Sequence, residues 1–426
     1  MTIILFGCFV LFVFLGMPIA ICLGLSSVGA ILYNNIQLVI VPNIMYSGTG
    51  KYSLLAIPFF VLAGVIMEKA GISQRLIKFA SVMVGHIFGG LAIVTVLVSC
   101  FFAAISGSGP ATVAALGPVL IPAMFNAGYE KDWAAALVAN GGNIGIIIPP
   151  SVVFVIYGVL AEVSIGRLFT AGIIPGILFG AALIFCSLFS LRNETKLKTL
   201  SRATARERWK AFKDAFWGLM TPVIILGGIY GGFVTPTEAA GIAAVYGLLV
   251  GVFIYREIKL KDLWRLFVDA GISSAVIMFV IANASVFAWI LTTSQLAARI
   301  AQNLIGLTNS SVLMLLLINL ILLLAGCFLD TGSAMYIFIP ILLPVVRHFG
   351  IDPLHFGVIA TVNLAIGMAT PPVGLDLFVA CNISGVGLKE ISYQTLRFVF
   401  SSLISLLLIT YLPFLSTWLP EAVRVK

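Results

Sequence analysis

The sequence predicts an all-α polytopic membrane protein built from two structural repeats, inverted if their first spans start on opposite sides of the membrane, each with a re-entrant helical hairpin and an unwound, broken helix. Three observations carry this prediction. Of 426 residues, 61% are hydrophobic and 9% are charged, whereas a soluble domain carries about 25% charged residues. The apolar residues form continuous runs such as 313–329, without the period of two that a membrane β-barrel requires. Prolines and glycines also recur at a constant offset of 222 residues: Pro118 and Pro340, Pro122 and Pro344, Gly128 and Gly350, Gly145 and Gly367, and Pro149-Pro150 and Pro371-Pro372.

A spanning helix needs about 20 apolar residues. In the first half, candidate spans cover 3–33, 54–68, 86–105, 111–126, 133–163 and 167–191. The first has no basic region ahead of it and runs apolar through Met17-Pro18 to Leu32, so it reads as a retained span and not as a cleaved leader. The second half offers 216–234, 237–255, 271–293, 311–329, 331–347, 355–385 and 394–419. The chain divides into a first repeat (1–191), a basic amphipathic connecting helix (192–215) and a second repeat (216–426). The hairpins fall at about 86–126 and 311–348, and the broken helices at about 133–163 and 355–385.

The net charge of +8 is concentrated. Arg192, Lys196, Lys198, Arg202, Arg206, Arg208, Lys210 and Lys213 lie in one segment, which the positive-inside rule places in the cytoplasm. This distribution argues against nucleic-acid binding. The segment and its shorter counterpart at 256–269 read as helices lying along an interface. Gly227, Gly228, Gly231 and Gly232 form small-xxx-small pairs, the pattern of a close helix contact.

Each half breaks its apolar pattern twice. Ser106-Gly107-Ser108-Gly109-Pro110-Ala111-Thr112 and Asp330-Thr331-Gly332-Ser333 look like hairpin tips, with N-capping residues opening the helix that follows. The stretches 140–151 and 363–372 each end a helix in a Pro-Pro pair. Carbonyls freed there, as at Gly145 and Ile148, are tolerated at membrane depth only when buried in protein or coordinating a ligand, and a hard cation such as Na⁺ suits them. Ionisable residues at that depth are functional candidates, with Asp330 first and Asp376 second. Glu238 in Thr235-Pro236-Thr237-Glu238 reads as a helix cap, and Glu162 and Arg167 as solvated.

Catalysis has little support. Cys8, Cys22, Cys100, Cys186, Cys327 and Cys381 are scattered singly, the three histidines are far apart, and no nucleotide-binding, protease or dinucleotide motif occurs. Neither a transition metal nor an organic cofactor is expected.

The two hairpin tips, the 140–151 run and Ala369-Thr370-Pro371-Pro372-Val373-Gly374 together resemble the large membrane subunit of tripartite ATP-independent periplasmic (TRAP) transporters, over essentially the whole chain. The resemblance implies an elevator-type importer of the bacterial inner membrane, driven by two or more Na⁺. It implies a separate small four-helix membrane subunit, a periplasmic substrate-binding protein, contact with membrane lipids, and a small organic anion such as sialic acid or a C4-dicarboxylate as substrate. Carried over, the first sodium site comprises Ser106, Ser108, Gly145, Ile148 and Pro150. The 222 offset maps the second onto Gly367, Thr370 and Pro372, with Gly326, Asp330 and Thr331 as hairpin candidates. Exact symmetry fails there, because Ser106 lands on Phe328 and Ser108 on Asp330. Ser108, Thr112, Asn143, Ser333 and Asp376 are the substrate candidates. A stand-alone ion-coupled anion symporter and a multi-span membrane enzyme are the competing readings.

Overall fold

The computed structural model describes residues 2–194 and 197–423, so Lys196 lies outside the described residues. Among these residues the chain is helical throughout, and nine helices are long and apolar enough to cross a membrane. The outer surface is apolar, with side chains such as Phe185, Phe400, Val245 and Leu316 exposed where lipid would cover them.

The chain opens with α1 (Thr2–Phe14) and α2 (Ile19–Tyr33). The single span expected over 3–33 is thus two helices packed on each other. Gly16 adopts φ +75, and Pro18, which has no N–H, precedes the first residue of α2. Next come α3 (Ile40–Thr49), a short 3₁₀ turn (Tyr52–Leu55), α4 (Ala56–Lys69) and the amphipathic α5 (Ile72–Val84). The first hairpin is α6 (Gly90–Ser106) and α7 (Gly109–Asn126). The first broken helix is α8 (Lys131–Ile147) and α9 (Val152–Ala161), bent by 42° at the break. The long α10 (Ile165–Leu191) closes the half.

The basic segment is not a separate interfacial helix ending at 215. Thr204 caps α11 (Ala205–Tyr230) in a reciprocal capping box with Glu207, and the helix continues unbroken into the apolar residues beyond Phe216. Helical propensity carries through 215 because no glycine or proline interrupts it there. The four glycines of 227–232 do not make the expected helix contact either. A side chain at Gly227 would meet open space, Gly231 is covered by Phe233, and Gly232 turns the chain at φ +70.

A second capping box, Thr235 with Glu238, opens α12 (Pro236–Leu249), which widens into a π turn (Val250–Ile254). The 256–269 segment also departs from expectation. Its latter part begins α13 (Leu263–Thr293) and does not form an independent interfacial helix. There follow α14 (Leu296–Ile305), the second hairpin of α15 (Ser311–Phe328) and α16 (Thr331–His348), and the second broken helix of α17 (Pro353–Met368) and α18 (Leu375–Ser384). The expected span 394–419 is divided into α19 (Leu388–Tyr411) and α20 (Phe414–Val423), because Pro413 cannot continue a helix.

The helix order repeats. Helices α6 to α10 have 17, 18, 17, 10 and 27 residues, and α15 to α19 have 18, 18, 16, 10 and 24. Packing then sorts the helices into two groups. Helices α1 to α4 and α11 to α13 form one, both hairpins, both broken helices, α10, α19 and α20 form the other, and the two meet directly where α13 packs on α16 and α4 on α6. Two short amphipathic helices bridge the groups, α5 between α11 and α6, and α14 between α13 and α16. At one end of α4, Arg75 donates to the carbonyls of Ala70 and Gly71, pairs with Glu257 at 3.0 Å and lies 4.0 Å over the Tyr255 ring. This ties α5 to the α12–α13 connection.

Candidate ion and substrate site

Consecutive prolines make each break. An α-helix needs the N–H of residue i+4 for every carbonyl, and Pro149 and Pro150 have none to return to Gly145 and Ile146. The last helical bond of α8 runs from Ile148 N to Ile144 O at 2.9 Å, after which Ile148 is extended. The Pro149-Pro150 and Pro371-Pro372 bonds are both cis.

The first hairpin tip is a compact oxygen cluster. Gly107 adopts φ +61, which lets α6 end and Ser108 turn into α7. Ser106 Oγ lies 2.9 Å from Thr112 Oγ1, and Thr112 Oγ1 donates to Ser108 O at 2.8 Å. Helix α8 packs on this cluster through Gly145, where a Cβ would overlap Thr112 Oγ1 and approach Ser108 O at 2.9 Å. A Cβ on Gly107 would sit 2.7 Å from Pro150 O, so the break abuts the tip as well. Val152 N, just past the break, donates to Gly107 O at 3.2 Å.

The second tip repeats the plan with different chemistry. Gly374 N donates to Cys327 O at 3.1 Å, and 374 is the counterpart of 152 at the 222 offset. Asp330 caps α16, its carboxylate accepting from Ser333 N at 2.9 Å and from Ser333 Oγ at 2.6 Å. Gly326 and Gly367 meet backbone to backbone, and a Cβ on Gly367 would fall 2.5 Å from Gly326 Cα. Thr370 Oγ1 donates to Ile366 O at 2.6 Å, and Gly367 O already accepts from Thr370 N at 2.9 Å.

Both tips face one cavity of about 280 Å³ against the other packing group. Its wall includes Ser106, Gly107 and Ser108 from the first tip and Asp330, Thr331 and Gly332 from the second. Helices α4 and α13 contribute Glu68 and Ser273 from across the gap. Residues at the starts of α7 and α16 thus line this space, and a helix N-terminus favours negative charge.

The structure therefore brings Ser106, Ser108, Gly145 and Pro150 together around the first tip, with Ile148 ending α8 beside them. This set of hydroxyls and carbonyls is what a hard cation takes. It brings Gly326 and Gly367 into contact, while Asp330 and Thr331 lie on the cavity wall. Pro372 lies in the second break beside Thr370. Of the substrate candidates, only Ser108 lines the cavity. Thr112, Asn143, Ser333 and Asp376 are buried, Thr112 and Ser333 in the hydrogen bonds given above.

Glu68 escaped the sequence reading. It belongs to the stripe Val61, Gly64, Val65, Glu68, which has helical spacing and one acid at its end. Also missed was a buried amide ladder, in which Asn363 donates to Asn319 and Asn319 donates to Thr410, joining α17, α15 and α19. Buried His355 is satisfied by Ser416 Oγ and Thr410 O, as a structural histidine is.

The family profile for the DctM component of tripartite ATP-independent periplasmic transporters matches residues 6–415. The isethionate TRAP transporter permease protein DctMQ of Oleidesulfovibrio alaskensis is 44% identical over 96% of this chain, which spans 65% of that protein's length. The C4-dicarboxylate TRAP transporter large permease protein DctM of Pseudomonas aeruginosa is 43% identical over 88% of each chain. The sialic acid TRAP transporter large permease protein SiaM of Vibrio cholerae is 38% identical over 96% of each. In fold, the chain resembles the crystal structure of the Alcanivorax borkumensis YdaH transporter, with a TM-score of 0.60 at 16% identity over 89% of this chain and 88% of that one. The matched profile, the full-length relatives and the paired hairpins and breaks agree: the chain belongs to the DctM family of tripartite ATP-independent periplasmic transporters, as a multi-span inner-membrane permease and not an enzyme.

Proposed function

We propose that this chain imports a small organic anion, coupled to the entry of two or more Na⁺, and that the hairpin-bearing group of helices moves past the other group as an elevator. One observation carries the reading: two hairpin tips, each bonded to its own broken helix, converge on a single cavity against α4 and α13. The two halves are inverted repeats on this reading, the usual plan of secondary transporters. One Na⁺ takes the oxygens around Ser106, Ser108, Gly145, Ile148 and Pro150. The other takes the region of Gly326, Asp330, Thr331, Gly367, Thr370 and Pro372. The substrate carboxylate faces the starts of α7 and α16 beside Ser108. The relatives are named for isethionate, C4-dicarboxylates and sialic acid, all organic acids, which supports that class.

The cavity reaches Glu68, at the end of α4 nearest Glu257 and the basic face of α11. With that face in the cytoplasm, this conformation is inward-facing. The driving force is sufficient, since each inward positive charge contributes about 2.3 kcal/mol per 100 mV and each Na⁺ falling down a tenfold gradient adds roughly 1.4 kcal/mol.

A small membrane subunit and a periplasmic binding protein complete the system. Reconstitution tests this directly. Uptake into proteoliposomes is expected only when both partners accompany the chain. Uptake of the free anion by the chain alone would instead favour a stand-alone symporter.

A further inference from the structure

Asp376 sits on the second residue of α18, is fully buried, and neither of its carboxylate oxygens accepts a hydrogen bond among the described residues. A carboxylate taken out of water without donors or a counter-charge is strongly disfavoured. Its surroundings are specific. A Cβ on Gly109, the first residue of α7, would lie 2.7 Å and 3.2 Å from the two carboxylate oxygens. A Cβ on Gly142 of α8 would lie 2.8 Å from Asp376 Oδ2 and 3.1 Å from Gly109 O. One point beside Gly142 is therefore close to both a carboxylate oxygen and a main-chain carbonyl, and since Val113 Cγ2 lies 2.6 Å from it, an ion there needs that methyl group to turn aside. Val113 and Ile146 wall it with methyl groups.

Helix α7 and helix α18 both begin at this carboxylate. Two positive helix ends offset part of the cost of a negative charge buried there and leave its lone pairs free. An ionised carboxylate with free lone pairs beside a carbonyl is an oxygen set for a hard cation.

We propose that Asp376, with the Gly109 carbonyl, holds a Na⁺ distinct from those at the two hairpin sites. The ion links the first hairpin (α7) to the second broken helix (α18), so that its binding joins the two repeats within the moving group. Asp376 is then an ion ligand and not a substrate contact. This inference rests on the Na⁺-coupled reading above, and its test separates the two.

The test is ²²Na⁺ bound per purified protein at saturation, together with the rise in melting temperature on replacing choline chloride by NaCl. Wild type is expected to bind three ions and Asp376→Asn two, with a smaller Na⁺-induced rise in melting temperature and a lower Hill coefficient. Gly142→Ala, which keeps the carboxylate but fills the space beside it, is expected to behave like Asp376→Asn. If Asp376→Asn fails to fold, the wild-type stoichiometry decides, and two ions or fewer overturn the third site. Equal Na⁺ binding by wild type and Asp376→Asn, with only their pH dependence differing, overturns it in favour of a proton. No Na⁺ response in wild type overturns the coupled reading itself.

Discussion

Gly367→Ala is expected to abolish uptake and to lower the melting temperature of the purified protein. A Cβ at this position would lie 2.5 Å from the Cα and carbonyl carbon of Gly326. The obstruction is backbone, which cannot rotate out of the way as a side chain can. Overpacking a core typically costs about 1–3 kcal/mol, and this contact belongs at the top of that range. The same shift would separate α15 from α17 and displace the second tip from its break, so loss of transport should exceed what stability alone explains. Gly326→Ala meets the Leu364 carbonyl oxygen at 3.0 Å, a milder contact, and should impair uptake less. Gly241→Ala is the control, since a Cβ there touches nothing within 4 Å. Normal uptake by Gly367→Ala would mean that the hairpin does not work in this packing.

Thr112→Val is the second change with a large expected effect. Valine keeps the shape but removes the hydroxyl that stands between Ser106 Oγ and Ser108 O. Helix α8 lies against that hydroxyl through Gly145, so the oxygen cluster of the first tip is altered without opening a cavity. A lost partner in a buried polar cluster costs about 1–3 kcal/mol. If that cost falls on the ion-bound state, the Na⁺ concentration giving half-maximal uptake should rise about 5- to 150-fold, since a factor of ten corresponds to roughly 1.4 kcal/mol. Thr112→Ser should stay near wild type. An unchanged Na⁺ dependence in Thr112→Val would detach the tip from ion binding.

The parts legible in the sequence are those set by local chemistry. Two consecutive prolines withdraw two N–H donors from a helix wherever they stand, so both breaks could be located from residues 149, 150, 371 and 372 alone. The hairpin tips were legible for the same reason, through Gly107, Pro110 and the capping Asp330. Elements whose role depends on tertiary packing were not. Helices α5 and α14 are short and amphipathic, with no apolar run to announce them, yet they join the two helix groups. Helices α10, α19 and α20 read as ordinary spans, and only their contacts assign them to the hairpin group. The backbone contact of Gly326 with Gly367, the Asn319–Asn363 ladder and the complete burial of Asp376 all join segments distant in sequence. The small-xxx-small pattern at 227–232 misled because a turn at Gly232 uses the same residues as a helix interface.

The central claim is that Na⁺ held at the hairpin tips and breaks drives uptake of an organic anion. Its most direct measurement is accumulation of the radiolabelled anion in proteoliposomes carrying this chain and its two partners, under an inward Na⁺ gradient and under an equal K⁺ gradient. The account predicts accumulation above the external concentration with Na⁺ alone, increased by an inside-negative potential and lost in Thr112→Val at low Na⁺. Equal accumulation under the K⁺ gradient would contradict it.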